Sequence, residues 1–263
     1  MVRKTGLMLI VAGVLCLNAG MSLAQDAWGH LAGKLVATGD VPEASAEAVD
    51  KDQATCMVDG NAPLDDNLVV GDDGGLRDVY VLLYLGRGDD APAIHPSYEE
   101  LAKEKVVLDN ARCRFEPHAI VVRTGQPIEL KNSDDVGHNC HIITLKNEEN
   151  VNLPANDSVE VKLNNADKLP GNVVCDIHKW MDAVILVRDD PYAAISAADG
   201  TFRIENIPAG KWQFQLWHKK KGFLRGVKVG DQETGRRGEF EVEITDGKDL
   251  DLGSISIDVS DWK

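Results

Sequence analysis

The sequence predicts an all-β protein built as a β-sandwich followed by a second, smaller β-sandwich. Three observations carry this. Short apolar runs recur along the chain between clusters of Gly, Asp, Asn and Pro, as strands between turns do. Residues 159–163 (VEVKL) alternate apolar and polar side chains, the pattern of a half-buried strand. Helical patterning is confined to residues 96–105 (PSYEELAKEK), which read as one short exposed helix.

Taken in order, residues 31–37 (LAGKLVA) form a first strand. Residues 79–84 (VYVLLY) form a richly apolar one, after the turn signal Asp72-Asp73-Gly74-Gly75. Strands follow at 106–108, 119–122, 127–131, 138–145, 159–163, 172–175 and 183–187. A second region opens near Asp190-Pro191. There Phe202 and Ile204, then Trp212, Phe214 and Leu216, alternate with polar residues on either side of Pro208-Ala209-Gly210, which predicts a β-hairpin with one buried face. Further strands are expected at 226–229, 240–244 and 253–257. The expected organisation is residues 25–104 as a β extension packing on a central sandwich of residues 105–189, with 190–263 as a separate sandwich near the lower size limit for independent stability.

The N-terminus reads as a secretory signal, residues 1–24. Arg3 and Lys4 precede an apolar run too short for a comfortable membrane span, and Ser22-Leu23-Ala24 supplies small residues for cleavage. Cys16 follows Leu15, which does not fit a lipidation site. Cleavage would leave about 239 residues with no later apolar stretch long enough to cross a bilayer, in the periplasm or outside the cell. It would move the formal charge from −15 to −17. So acidic a chain does not suit nucleic acid, and it favours basic protein partners. Lys219-Lys220-Lys221 reads as a solvated turn. Cys56, Cys113, Cys140 and Cys175 would remain, and an oxidising compartment permits disulfides that the sequence alone does not assign.

The chemistry lies in Val173-Val174-Cys175-Asp176-Ile177-His178-Lys179-Trp180-Met181. Thiolate, imidazole and thioether recur every three residues beside apolar strands. Soft sulfur with imidazole selects copper, and two His, one Cys and a weak Met ligand define blue-copper electron transfer. The second histidine must come from Gly137-His138-Asn139-Cys140-His141. His138 and His141 point to opposite faces of a strand, and His138, close to the strand end, is the expected ligand. His141 is then a neighbouring or surface residue. His118 begins an apolar strand and reads as an edge residue, Asp176 as a solvated loop residue, and Trp180 as packing over the ligand loop.

The segment 137–141 resembles the first-histidine segment of plastocyanins, pseudoazurins and amicyanins. The spacing Cys175-x2-His178-x2-Met181, with an aromatic before Met181, is similar to that of amicyanin. The resemblance implies a Greek-key cupredoxin fold, with one copper cycling between Cu(I) and Cu(II) on His138, Cys175 and His178, with Met181 axial. It also implies that Asn139 bonds across to the Cys175 loop. Residues 202–210 (FRIENIPAG) resemble a carboxypeptidase-regulatory-like module, and the whole is similar to exported bacterial proteins of the methylamine-utilisation type. Cys140 departs from the family pattern. The expected disulfide is Cys56–Cys113, and a Cys140–Cys175 disulfide would instead abolish the site. Function then follows as an electron carrier, not an enzyme, passing single electrons to a redox protein such as a cytochrome or dehydrogenase. The alternative is an exported copper-binding or structural module without redox turnover. No His-x-His pair or Gly-x-Ser-x-Gly turn is present to support a multicopper oxidase or a serine hydrolase.

Overall fold

The computed structural model describes residues 27–262, so the expected signal segment lies outside the described residues. The strands are β1 (Trp28–Thr38), β2 (Tyr80–Tyr84), β3 (Val106–Ala111), β4 (Arg114–Glu116), β5 (Ala119–Arg123), β6 (Pro127–Asn132), β7 (His138–Ile143), β8 (Glu148–Leu153), β9 (Ser158–Lys162), β10 (Gly171–Val174) and β11 (Asp182–Arg188). They continue with β12 (Ala193–Ile195), β13 (Thr201–Pro208), β14 (Gly210–His218), β15 (Gly222–Phe223), β16 (Lys228–Val229), β17 (Gln232–Glu233), β18 (Glu239–Ile244) and β19 (Asp249–Asp258). Two single-turn helices interrupt them, α1 (Gln53–Cys56) and α2 (Tyr98–Leu101). The fold is all-β. The helix expected over 96–105 shrinks to α2, which has no buried side chain to hold a longer one against the sheets.

In the first sandwich the sheet β5-β11-β10-β7-β8 faces the sheet β4-β3-β6-β9. Leu108, Phe115, Ile128, Leu130, Ile142 and Val173 fill the space between them. Strand β11 is apolar on both faces for a reason. Ala183, Ile185 and Val187 enter this core, while Val184 and Leu186 turn outward to meet Tyr80 and Leu82 of β2. That outer cluster joins the two sandwiches. At its centre the buried Tyr80 hydroxyl lies 2.9 Å from the Val184 carbonyl and 3.2 Å from that of Ile120.

The second sandwich sets β13-β1-β19 against β12-β2-β14-β15, with β18 on the other edge of β14. Here two expectations are corrected. Residues 27–104 do not act as one extension on the first sandwich: the segment around Cys56 does pack there, but β1 and β2 are interior strands of the second, each hydrogen-bonded on both sides to strands from beyond residue 190. Nor do the strands flanking Pro208-Ala209-Gly210 form a hairpin. β13 pairs with β1 and β14 pairs with β2, so the chain crosses from one sheet to the other at Gly210, whose φ of 136° suits glycine. Phe202 and Ile204 thus share the core with Phe214 and Leu216 from opposite sheets. Alternation shows which side of a strand is buried, and it fits either arrangement equally well. The lysine run is the turn between β14 and β15, and its side chains find acidic partners: Lys219 pairs with Asp182, Lys220 lies 3.4 Å from Asp65, and Lys221 lies 2.5 Å from Asp261.

Candidate metal centre

β7 pairs with β10, and β10 with β11, so the start of β7 lies beside the loop 175–181 that joins β10 to β11. Backbone bonds from Cys175 N to Met181 O (3.1 Å) and from Met181 N to His178 O (2.9 Å) close this loop on itself. The His178 N–H points at the Cys175 sulfur, 3.4 Å away. His138, Cys175 and His178 are all buried, and one donor atom from each lies within 4.8 Å of the others. The two Nδ1 atoms are 2.8 Å apart, and the Cys175 sulfur is 3.9 Å from Nδ1 of His178. Met181 is buried in the same apolar cluster as Cys175.

Each imidazole is held from behind by a carboxylate. His138 donates through Nε2 to Asp134 at 2.9 Å, and His178 through Nε2 to Asp52 at 2.8 Å. Both Nδ1 atoms are thereby turned toward the sulfur. Asp134 is itself fixed by the backbone N–H groups of Arg112 (2.7 Å) and Cys113 (2.8 Å), the two positive-φ residues of the β3–β4 turn. Neither Asp52 nor Asp134 emerges from the sequence motif. A carboxylate four residues before His138 was a usable signal, but Asp52 is 126 residues from His178 and leaves none.

Two lone pairs cannot face each other at 2.8 Å without a proton or a cation between them. Burial opposes charge on His138, but its bonds to Asp134 and Cys175 prevail and raise its pKa to about 9. His178 shifts down, first through burial and then through the neighbouring charge of His138, against the pull of Asp52. Cys175 is lowered although burial opposes it, because His138 and three backbone N–H groups stabilise its thiolate. The site is therefore built to hold positive charge between two imidazoles and a thiolate. A copper ion fits two imidazoles and one thiolate better than zinc, which takes four strong ligands.

Asn139 spans the two ligand segments. Its Oδ1 accepts from Asp176 N at 2.6 Å and lies 3.4 Å from the Cys175 sulfur. Asp176 is more engaged than a solvated loop residue, since it gathers Asn139, Asn150 and His141 within 3.1 Å. His141 is half-buried, between Asp176 at 3.1 Å and Glu148 at 3.7 Å. Cys140 is free and enters the core, and burial, with the Cys175 charge second, pushes its thiol up to about 12. Cys175 is also free, and the disulfide is Cys56–Cys113. Trp180 donates to the Cys113 carbonyl at 3.2 Å, packing the ligand loop against that bridge.

A second cluster surrounds His118, which precedes the edge strand β5 and is buried all the same: Asp78 lies 3.1 Å away, Asp182 3.4 Å and Asp66 3.8 Å. Each carboxylate already has a cation, in Arg77, Lys219 and Arg114. Burial opposes charge on His118, yet Asp182 and Asp78 raise its pKa to about 9. A raised pKa gives stability that is complete below the unfolded value of about 6.5 and is lost as pH climbs through the folded value. His118→Gln should thus cost about 3 kcal/mol near pH 6, and the gap to the unaltered protein should close above pH 9 in denaturant titrations of the copper-free forms. A gap that does not change with pH would leave His118 a packing role alone.

No protein-family model matches the chain, and no curated protein does. Solved structures do. The chain is similar to the copper-containing nitrite reductase NirK from Thermus scotoductus SA-01, with 18% identity, a TM-score of 0.29, and coverage of 38% of this chain and 24% of that one. It spans about a quarter of that enzyme's length. A purple cupredoxin from Nitrosopumilus maritimus matches with 18% identity and a TM-score of 0.27, covering 32% of this chain and 98% of its own. A reduced Cu(I) form of an amicyanin mutant at pH 4 matches with 18% identity and a TM-score of 0.29, covering 41% and 98%.

Proposed function

We propose that the protein is an exported, cupredoxin-like carrier of single electrons that holds one copper ion on His138, Cys175, His178 and Met181. The observation that supports this is the convergence of two Nδ1 atoms and one thiolate sulfur in a buried pocket, with each imidazole locked from behind by a carboxylate. When bound, copper would supply a one-electron Cu(II)/Cu(I) couple. The chain's part is to keep the donors still. Asn139, the closed loop 175–181 and the two carboxylates fix the ligand atoms before any metal arrives, so little has to move between oxidation states. The surplus of acidic residues suits a basic redox partner, a cytochrome or a dehydrogenase.

The test is spectroscopic. Cu(II) added to the purified, reduced-thiol protein should give an intense blue band that ascorbate bleaches and ferricyanide restores. Cys175→Ser should abolish the band, and Cys140→Ser should leave it. Loss of the band in Cys140→Ser would overturn the ligand assignment. A band that does not cycle would instead favour a copper-binding module without turnover.

A further inference from the structure

The edge of His178 that points away from the other ligands does not reach solvent. Residues 45–66 run over it as a strap, and His178 is fully buried beneath. Several independent ties hold this strap down. Cys56 is bonded to Cys113, Val49 packs on the first core, and Asp66 pairs with Arg114. Glu47, Pro63 and Leu64 line one narrow crevice with Trp180 and Met181 of the ligand loop. At the centre of the strap is Asp52. Its backbone sits in the left-handed region (φ 47°, ψ 36°), and its carbonyl accepts from the N–H groups of Thr55 and Cys56, both at 2.9 Å. A non-glycine residue in that conformation persists only where its surroundings fix it. The anchored α1 turn and the bridge at Cys56 do so, aiming the Asp52 carboxylate at Nε2 of His178, 2.8 Å away.

We propose that Asp52 is the positioning residue for His178: delivered by a disulfide-anchored strap, it accepts a hydrogen bond from Nε2–H, which keeps the proton on Nε2 and presents Nδ1 unprotonated to the metal. The inference rests on the copper reading of the site, and it adds a contact that the ligand motif does not contain. Asp134 does the same for His138 from within the sandwich. Asp52 does it from outside, so a segment far away in sequence completes the metal site. It also implies that a redox partner does not meet a bare histidine edge, but a strap surface.

Asp52→Ala and Asp52→Glu test this in the full chain, with the intact disulfide and the far-UV spectrum as checks of folding. In the copper-free protein, nitrogen NMR of the imidazoles should show His178 as the Nε2–H tautomer. Asp52→Ala should move that signature, and Asp52→Glu should restore it at least in part. Competition against a chelator should show copper held about 10- to 100-fold more weakly in Asp52→Ala, the usual effect of removing a carboxylate behind a ligating histidine. Unchanged tautomer and affinity in Asp52→Ala would overturn the proposal. If the unaltered protein takes up no copper, the copper reading fails, while the tautomer measurement still decides whether Asp52 positions His178.

Discussion

Residues 190–263, produced alone, should fail to fold. They look self-contained, with several alternating strands and their own turns, yet both sheets they build lack an interior strand. In the intact protein β1 lies between β13 and β19, and β2 lies between β12 and β14. Without residues 28–38, β13 and β19 lose the strand that lies between them in their sheet. Without residues 80–84, β12 has no strand partner and β14 keeps only β15 and β18. The core suffers equally. Leu31, Leu35, Leu76, Val79, Val81 and Leu83 are buried among Tyr192, Phe202, Phe214 and Trp262. At about 2 kcal/mol for each buried aliphatic side chain, these six contribute about 12 kcal/mol, as much as a domain's entire net stability. The fragment should show no dispersed amide NMR signals and no cooperative urea transition. Co-expression with residues 27–104 should restore both only if the missing strands can be supplied in trans. A cooperative transition in the isolated fragment would show that β1 and β2 are accessories rather than interior strands.

That prediction turns on what the sequence could and could not disclose. Strand existence was legible where apolar runs lay between turn signals: 31–37, 79–84, 119–122, 183–187 and 240–244 all lie in or across observed strands. Pairing was not. The contact between β1 and β19 joins residues more than 200 positions apart, and no local periodicity carries that information. The hairpin expected across Pro208-Ala209-Gly210 failed for a related reason. Two amphipathic strands in succession bury the same faces whether they lie side by side or on opposite sides of a core. At the metal centre the spacing of Cys175, His178 and Met181 and the parity of His138 against His141 were readable, because one loop and one strand impose them. In the structure one donor atom each of His138, Cys175 and His178 lies within 4.8 Å of the others. Asp52 was invisible, since its role depends on a strap whose course is set by one disulfide and a few surface contacts.

That disulfide carries the second large expected effect. Replacing both Cys56 and Cys113 by Ser should lower the stability of the copper-free protein by about 4 kcal/mol, from the chain entropy released by opening a loop of 57 residues. The cost should concentrate at the strap. Cys56 and Cys113 are both buried in the first core, so two serine hydroxyls there should add a desolvation cost to the entropic one. On the other side, Cys113 belongs to the turn whose N–H groups hold Asp134, and its carbonyl accepts from Trp180. Loosening it therefore weakens the supports of both histidines together, His178 through Asp52 and His138 through Asp134. Urea titration should show the midpoint falling without a second transition, because the bridge lies in the same core as the ligands. Hydrogen exchange should rise first at the amides of positions 55 and 56, which bond to Asp52, and later at Met181, whose amide bonds to His178 inside the ligand loop. An equal rise at both places would mean that strap and ligand loop open as one unit. Exchange confined to the ligand loop would mean that the strap holds without its bridge.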